Sequence, residues 1–306
     1  MKSSACSIVI RILPVVLIAC LTACGGNSST PAATQHLYVG NDGASASILQ
    51  FTLPITSTST PSVTVAPTNG TSNLTALSVD ASGNLATADN AGHLAIFSAP
   101  ITSSSTASAT FSNGTAANDG QLAFNTAGNL FATTVSTKVN VFNPPISSSS
   151  TPAQSITDAS LTSAIGAALD SSGNLVVSNA GAGSSTLTVF APPYTTASFV
   201  TPSAAGAAYR KAALDTSQLF VASVAPGTGR IDVYNLPLTA SSAPVFSMTN
   251  VNSPEAVAFD SSGNLYVGNV GDATVRVFTP PFSATSTPTV TLTVTGAAIF
   301  GIAIGK

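Results

Sequence analysis

Few side chains in this 306-residue sequence are suited to chemistry. It holds one glutamate, Glu255, and Arg210 stands 45 residues before it, a spacing that recurs throughout the chain. A carboxylate and a guanidinium at matching places in successive units point first to an ion pair. A second series of oxygen-bearing side chains recurs as Asn41, Asp89, Thr134, Asn179, Ser223 and Asn269. Asn and Asp at such places are ordinary turn residues, and they are also hard oxygen donors. His36 and His93 are the only histidines, and Cys6, Cys20 and Cys24 the only cysteines. A Cys/His nucleophile pair or a His-rich zinc site cannot be assembled from them. His93 lies four residues past Asp89, within reach of the same face as a lone general base, although a solvent-facing loop position explains it better. Serine is abundant, yet no G-x-S-x-G elbow marks one as a nucleophile.

The elements that position these residues are read from a repeat. Asp80-Ala-Ser-Gly-Asn84, Asn125-Thr-Ala-Gly-Asn129, Asp170-Ser-Ser-Gly-Asn174, Asp215-Thr-Ser-Gln218 and Asp260-Ser-Ser-Gly-Asn264 begin at intervals of 45 residues. An aromatic residue follows each, at Phe97, Phe142, Phe190, Tyr234 and Phe278, with Phe51 as an earlier copy. One unit runs from Glu255 as AVAF, DSSGN, LYVGN, VGDA, TVRVF, TPPFSATSTP and TVTLTV. Each short run is alternating or β-branched and is bounded by Gly, Pro, Asn or Ser, which specifies a strand. Four antiparallel strands in about 45 residues make one propeller blade.

Two residues before the turns stand Ser78, Ala123, Ala168, Ala213, Ala258 and Ala303; one residue before stand Val79, Phe124, Leu169, Leu214, Phe259 and Ile304. Small on one face and large on the other suits an innermost strand crowded around an axis. The second strands carry Leu37, Leu85, Leu130, Leu175, Leu219 and Leu265, hence six blades. The N-terminal copy begins at HLYVGN without a first strand, and Gly301-Ile-Ala-Ile304 is a first strand with nothing after it. The expectation is an all-β, six-bladed β-propeller over residues 36–306, its ring closed by pairing the C-terminal strand with the N-terminal blade. Closure removes exposed sheet edges, and a monomer is expected. Within it, second-strand ends and first-strand starts meet on one face near the channel, bringing Glu255, Arg210, Asp89, Asn179, Asn269 and Asn41 together. The Asp-x-x-Gly-Asn turns offer one carboxylate each, too few for a calcium loop, and the loops with Pro and Ser/Thr, such as Pro144 to Pro152, keep a nearly constant length that argues for order.

The N-terminal residues give an address. Met1-Lys2 precedes an apolar stretch from Ile8 to Cys20, interrupted by Arg11 and Pro14 and too short to span a bilayer. Leu21-Thr22-Ala23-Cys24 resembles the lipobox of bacterial lipoproteins, which implies a signal peptide over 1–23 and lipid, palmitate included, on Cys24. Residues 24–35 then form a small, polar, flexible tether. Gly25 after the lipidated position resembles the signal for sorting to the outer membrane. Removing 1–23 leaves one cysteine, six basic residues and 11 acidic ones, a formal charge of −5. That balance excludes nucleic acid, which requires clustered Lys and Arg. Only 6% of residues are charged, while 44% are hydrophobic, too many for a disordered chain.

The unit DSSGNLYVGN with TVRVF resembles the NHL-repeat propellers and, more distantly, the gluconolactonase and senescence-marker group. The family's usual aspartate after LYV is mostly Asn here. The resemblance to gluconolactonase-like propellers implies a divalent metal held at the channel mouth by Glu, Asn and Asp, a role open to Glu255, Asp89, Asn179 and Asn269 with calcium or magnesium. The leading expectation is a non-catalytic, membrane-anchored scaffold that binds a protein or glycan in the cell envelope. A metal-dependent lactonase-like hydrolase or lyase is the alternative, and a structural envelope protein without a ligand is a third.

Overall fold

Alternation decides the local structure: in Leu265–Asn269 and Thr274–Phe278, β-branched and aromatic residues favour extended backbone, and Asp260 to Asn264 turns the chain before them. A computed structural model describes residues 33–42, 46–66, 73–114, 120–181, 184–224, 227, 229–296 and 298–306. The segment 1–23 and Cys24 lie outside these residues. Thr34–Lys306 forms one contact-dense unit, and it contains six antiparallel sheets and no helix among the described residues.

Written from the axis outward, blade 1 is Ile299–Gly305, His36–Asn41, Ser47–Thr52 and Val63–Val65. Blade 2 is Leu74–Val79, Leu85–Asp89, His93–Phe97 and Ala109–Ser112. Blade 3 is Leu122–Phe124, Leu130–Thr133, Lys138–Phe142 and Gln154–Thr157. Blade 4 is Ala164–Leu169, Leu175–Asn179, Ser184–Phe190 and Phe199–Val200, with Ala204–Ala205 also paired to its third strand. Blade 5 is Tyr209–Leu214, Gln218–Ser223, Arg230–Asn235 and Phe246–Met248. Blade 6 is Pro254–Phe259, Leu265–Asn269, Thr274–Phe278 and Val290–Thr293. Each innermost strand touches the next, and that of blade 6 touches that of blade 1, so the six sheets close a ring. Blade 1 is completed from both ends of the chain, with Leu37 opposite Ile304 and Val39 opposite Ile302.

The core lies between blades. Six buried clusters each draw on two successive sheets; Phe51 and Leu37 of blade 1, for example, pack with Tyr266 and Val277 of blade 6. The recurring third-strand aromatics Phe51, Phe97, Phe142, Phe190, Tyr234 and Phe278 are all buried, and burying each such ring contributes about 1.5–3 kcal/mol. The turns are closed by their own carboxylates. Asp80 Oδ1 accepts Ser82 N and Asn84 N at 2.8 and 2.9 Å, and Oδ2 accepts Asn84 Nδ2 at 2.8 Å. Asp170 and Asp260 repeat the pattern. Gly83, Gly173 and Gly263 take positive φ in these turns, where any Cβ is strained. The Ser/Thr loops are ordered as well: Thr56 N donates to Ser59 Oγ, and Thr102, Ser147, Thr239 and Ser283 do the same to the residue three further on.

Blade 3 departs from the repeat. Its inner strand begins at Leu122, although the repeat places Gly120 at a strand start. Thr133 intervenes there: its Oγ1 accepts Gln121 N and donates to Ile165 O of blade 4, both at 2.6 Å.

Candidate functional site

Five innermost strands carry a register shift at the same end, near Thr75, Ile165, Arg210, Glu255 and Phe300. A bulge re-aims the side chain at the irregular residue, and the position five residues before the turn falls on one in every blade except blade 3, where it is Gly120. Arg210 Nε thereby donates to the Glu255 carboxylate at 3.1 Å across the boundary between blades 5 and 6. Lys211 Nζ stands 3.9 Å from Glu255 Oε1. Glu255 and Lys211 are 4% and 3% exposed, so one carboxylate meets two cations in a region nearly free of water. Lys211 was not singled out from the sequence. Its signal is positional, since four residues before the turn the other blades carry Ala76, Gln121, Gly166, Ala256 and Gly301.

Gln121 is the other long side chain of that series. Its Oε1 accepts Ala167 N of blade 4 and Ala212 N of blade 5, each at 2.9 Å, and its Nε2 donates to Ala212 O at 2.8 Å. One amide from blade 3 therefore ties two neighbouring innermost strands and occupies the channel. On the turn-bearing side of Gln121 lies a cavity of about 260 Å³ lined by the small and large residues that precede the turns.

The second-strand ends are engaged locally. Asp89, fully buried, accepts Ala91 N at 3.0 Å and His93 N at 2.8 Å through Oδ1, and meets His93 Nδ1 at 2.9 Å through Oδ2. Asn269 Oδ1 accepts Asn252 N at 2.9 Å, while its Nδ2 donates to Val267 O at 3.2 Å. Asn41 Nδ2 donates to Ser47 Oγ at 3.4 Å across its own hairpin. Asn179 Nδ2 donates to Thr188 Oγ1 at 3.0 Å, and its buried Oδ1 has no hydrogen-bond partner among the described residues. His93 itself is half exposed.

A calcium or magnesium ion needs several oxygens converging on one point. The candidate residues do not fit that demand: Glu255 faces two cations, Asp89 fastens its own hairpin, and Asn269 is taken by neighbouring backbone. Among the described residues, no three His, Cys, Asp or Glu side chains gather as a metal group. The arrangement can neutralise charge between blades and hold loops in place; no step through a metal follows from it.

No family model matches the chain, and no curated protein matches it. Solved structures do. A chain of a nidogen/laminin complex aligns with a TM-score of 0.67 at 15% identity, over 89% of this chain and 98% of that one. A putative 6-phosphogluconolactonase from Bacteroides fragilis gives 0.66 at 11%, over 92% and 100%. The β-propeller domain of Cps50 (Swd1) from Myceliophteria thermophila gives 0.59 at 12%, over 88% and 86%. At these identities the likeness is one of fold, and many activities share such scaffolds.

Proposed function

We propose that the chain is a non-catalytic β-propeller, tethered through a lipid on Cys24 to the bacterial outer membrane, which binds a protein or glycan of the cell envelope. The observation that carries this reading is the neutralised channel mouth: its one glutamate is held by Arg210 and Lys211, and Asp89 is consumed by its own hairpin. The metal-dependent lactonase-like alternative needs carboxylate oxygens free to hold the ion. The Leu21-to-Cys24 motif supports the tether, and the ordered Ser/Thr loops suit recognition. Among the fold neighbours, the one described as part of a nidogen/laminin complex gives a precedent for protein partners.

Two measurements test the proposal. Palmitate labelling and cell fractionation of wild type and Cys24→Ala should show label and membrane association lost together; association retained in Cys24→Ala refutes the tether. Thermal unfolding in EDTA and then in calcium or magnesium should give coincident curves. A rise of several degrees that vanishes in Glu255→Gln refutes the non-catalytic reading in favour of the lactonase-like one, since a ligand of the native state raises its stability.

A further inference from the structure

The six blades serve as controls for one another, and one position breaks their pattern. Opposite the residue that follows each recurring second-strand leucine stands Ile96, Val141, Val189, Val233 or Val277 in blades 2 to 6. In blade 1 that place is held by Gln50, opposite Tyr38. Gln50 is 6% exposed, and its Oε1 is buried with no hydrogen-bond partner among the described residues. A buried amide oxygen left unpaired costs free energy that a β-branched residue at this site avoids. Polarity at this position therefore costs stability.

Two neighbours break the pattern as well. Tyr266, the blade 6 counterpart of Tyr38, donates its hydroxyl to Asp260 Oδ2. The matching turn position in blade 1 is Gly305, so Tyr38 lacks a carboxylate partner there. His36 stands where Asn84, Asn129, Asn174 and Asn264 stand, and its buried Nδ1 also has no partner among the described residues. These three groups line a cavity of about 440 Å³, within the range of small-molecule sites, together with Ser82, Pro100 and Lys306. No acidic side chain lines it.

We propose that this cavity, between blades 1 and 2, binds a carboxylate-bearing sugar unit, a uronate. The chemistry follows from the lining. Sugar hydroxyls donate to Gln50 Oε1 and exchange hydrogen bonds with Tyr38, His36 and Ser82. The apolar wall at Pro100 accepts the C–H face of the ring, and the Lys306 ammonium meets the carboxylate. The inference rests on the glycan arm of the proposed function and specifies its ligand class.

Saturation-transfer NMR on the detergent-solubilised full chain tests it, with glucuronate as probe and glucose as neutral control. The expected result is transfer to glucuronate well above that to glucose, falling at least ten-fold in Gln50→Val. The melting temperature of Gln50→Val should equal or exceed that of wild type, because valine is the residue of four other blades. Should that variant fail to fold, Tyr38→Phe supplies the second test, with the same loss expected. Absence of transfer to glucuronate, equal transfer to glucose, or undiminished transfer in a folded variant overturns the proposal. The tether is read separately by palmitate labelling and fractionation, and the non-catalytic reading by unfolding with and without metal, so a failed uronate site leaves each to stand or fall on its own result.

Discussion

Gln121 offers the sharpest test of how the ring is held. Its amide satisfies Ala167 N, Ala212 N and Ala212 O on innermost strands whose inner edges have no further strand to pair with. In Gln121→Ala the side chain is removed and the space it leaves is polar enough for water, so those three groups exchange one partner for another. At about 1 kcal/mol net per hydrogen bond the cost is about 3 kcal/mol. Gln121→Leu keeps the volume, excludes water and leaves the same groups unsatisfied, each costing about 1–3 kcal/mol, so about 5 kcal/mol in total. A domain of about 270 residues unfolds with an entropy near 0.6 kcal/mol/K at roughly 2.1 cal/mol/K per residue. Calorimetry should therefore show melting temperatures lowered by about 5 °C in the alanine variant and about 8 °C in the leucine variant. The order is the decisive point, because simple filling of space favours leucine. A leucine variant as stable as the alanine variant, or two variants that melt with wild type, refutes the reasoning.

Glu255→Gln leaves Arg210 and the buried Lys211 facing a neutral amide; a loss of about 3 kcal/mol is expected, partly recovered by adding Lys211→Met, and denaturant titration of both variants checks it. Gly166→Ala places a Cβ 2.2 Å from Ser178 Oγ and 2.6 Å from Arg210 O, so a destabilisation of about 3 kcal/mol or a failure to accumulate is expected, whereas a wild-type melting temperature contradicts the packing described. Burial lowers the His36 pKa from 6.5, so the unfolded chain takes up a proton that the folded chain resists. Stability then falls as pH drops through 6.5 towards the lowered value, and His36→Asn should flatten the melting temperature between pH 7.5 and 5; parallel curves for the two proteins refute the assignment.

The ring was legible because the chain states its blade six times. A turn such as Asp80 to Asn84, a second-strand leucine and a third-strand aromatic are each local signals, and their fixed spacing converts them into a tertiary pattern. The half-copies at His36 and Gly301 disclosed the closure for the same reason. The site was less legible. Pairing of Arg210 with Glu255 follows from their matching positions, but the bulges that turn them towards one another depend on strand register. Asp89 and the asparagines could be placed at strand ends, while their turning away from the axis is settled by hydrogen bonds within their own hairpins or, for Asn269, to Asn252 in the loop that enters the blade. Gln121 and Lys211 were visible as long residues in an Ala/Gly series, yet what Gln121 reaches exists only after three blades have met. Gln50 required the same comparison, applied to a strand that looks ordinary by itself.

Blade 1 is woven from residues about 260 positions apart, and this bears on the order of assembly. Blades 2 to 6 each draw on a continuous stretch of chain, so their hairpins form from local contacts as the polypeptide emerges. The sheet at His36–Asn41 must wait, with one edge unpaired, until Ile299–Gly305 has appeared. Until then the molecule is an open arc with two sticky ends, prone to pairing with another copy. Closing the arc is thus the last and most non-local pairing of the ring. Afterwards neither terminal strand can peel away without opening the whole ring, so slow unfolding is the return on slow completion.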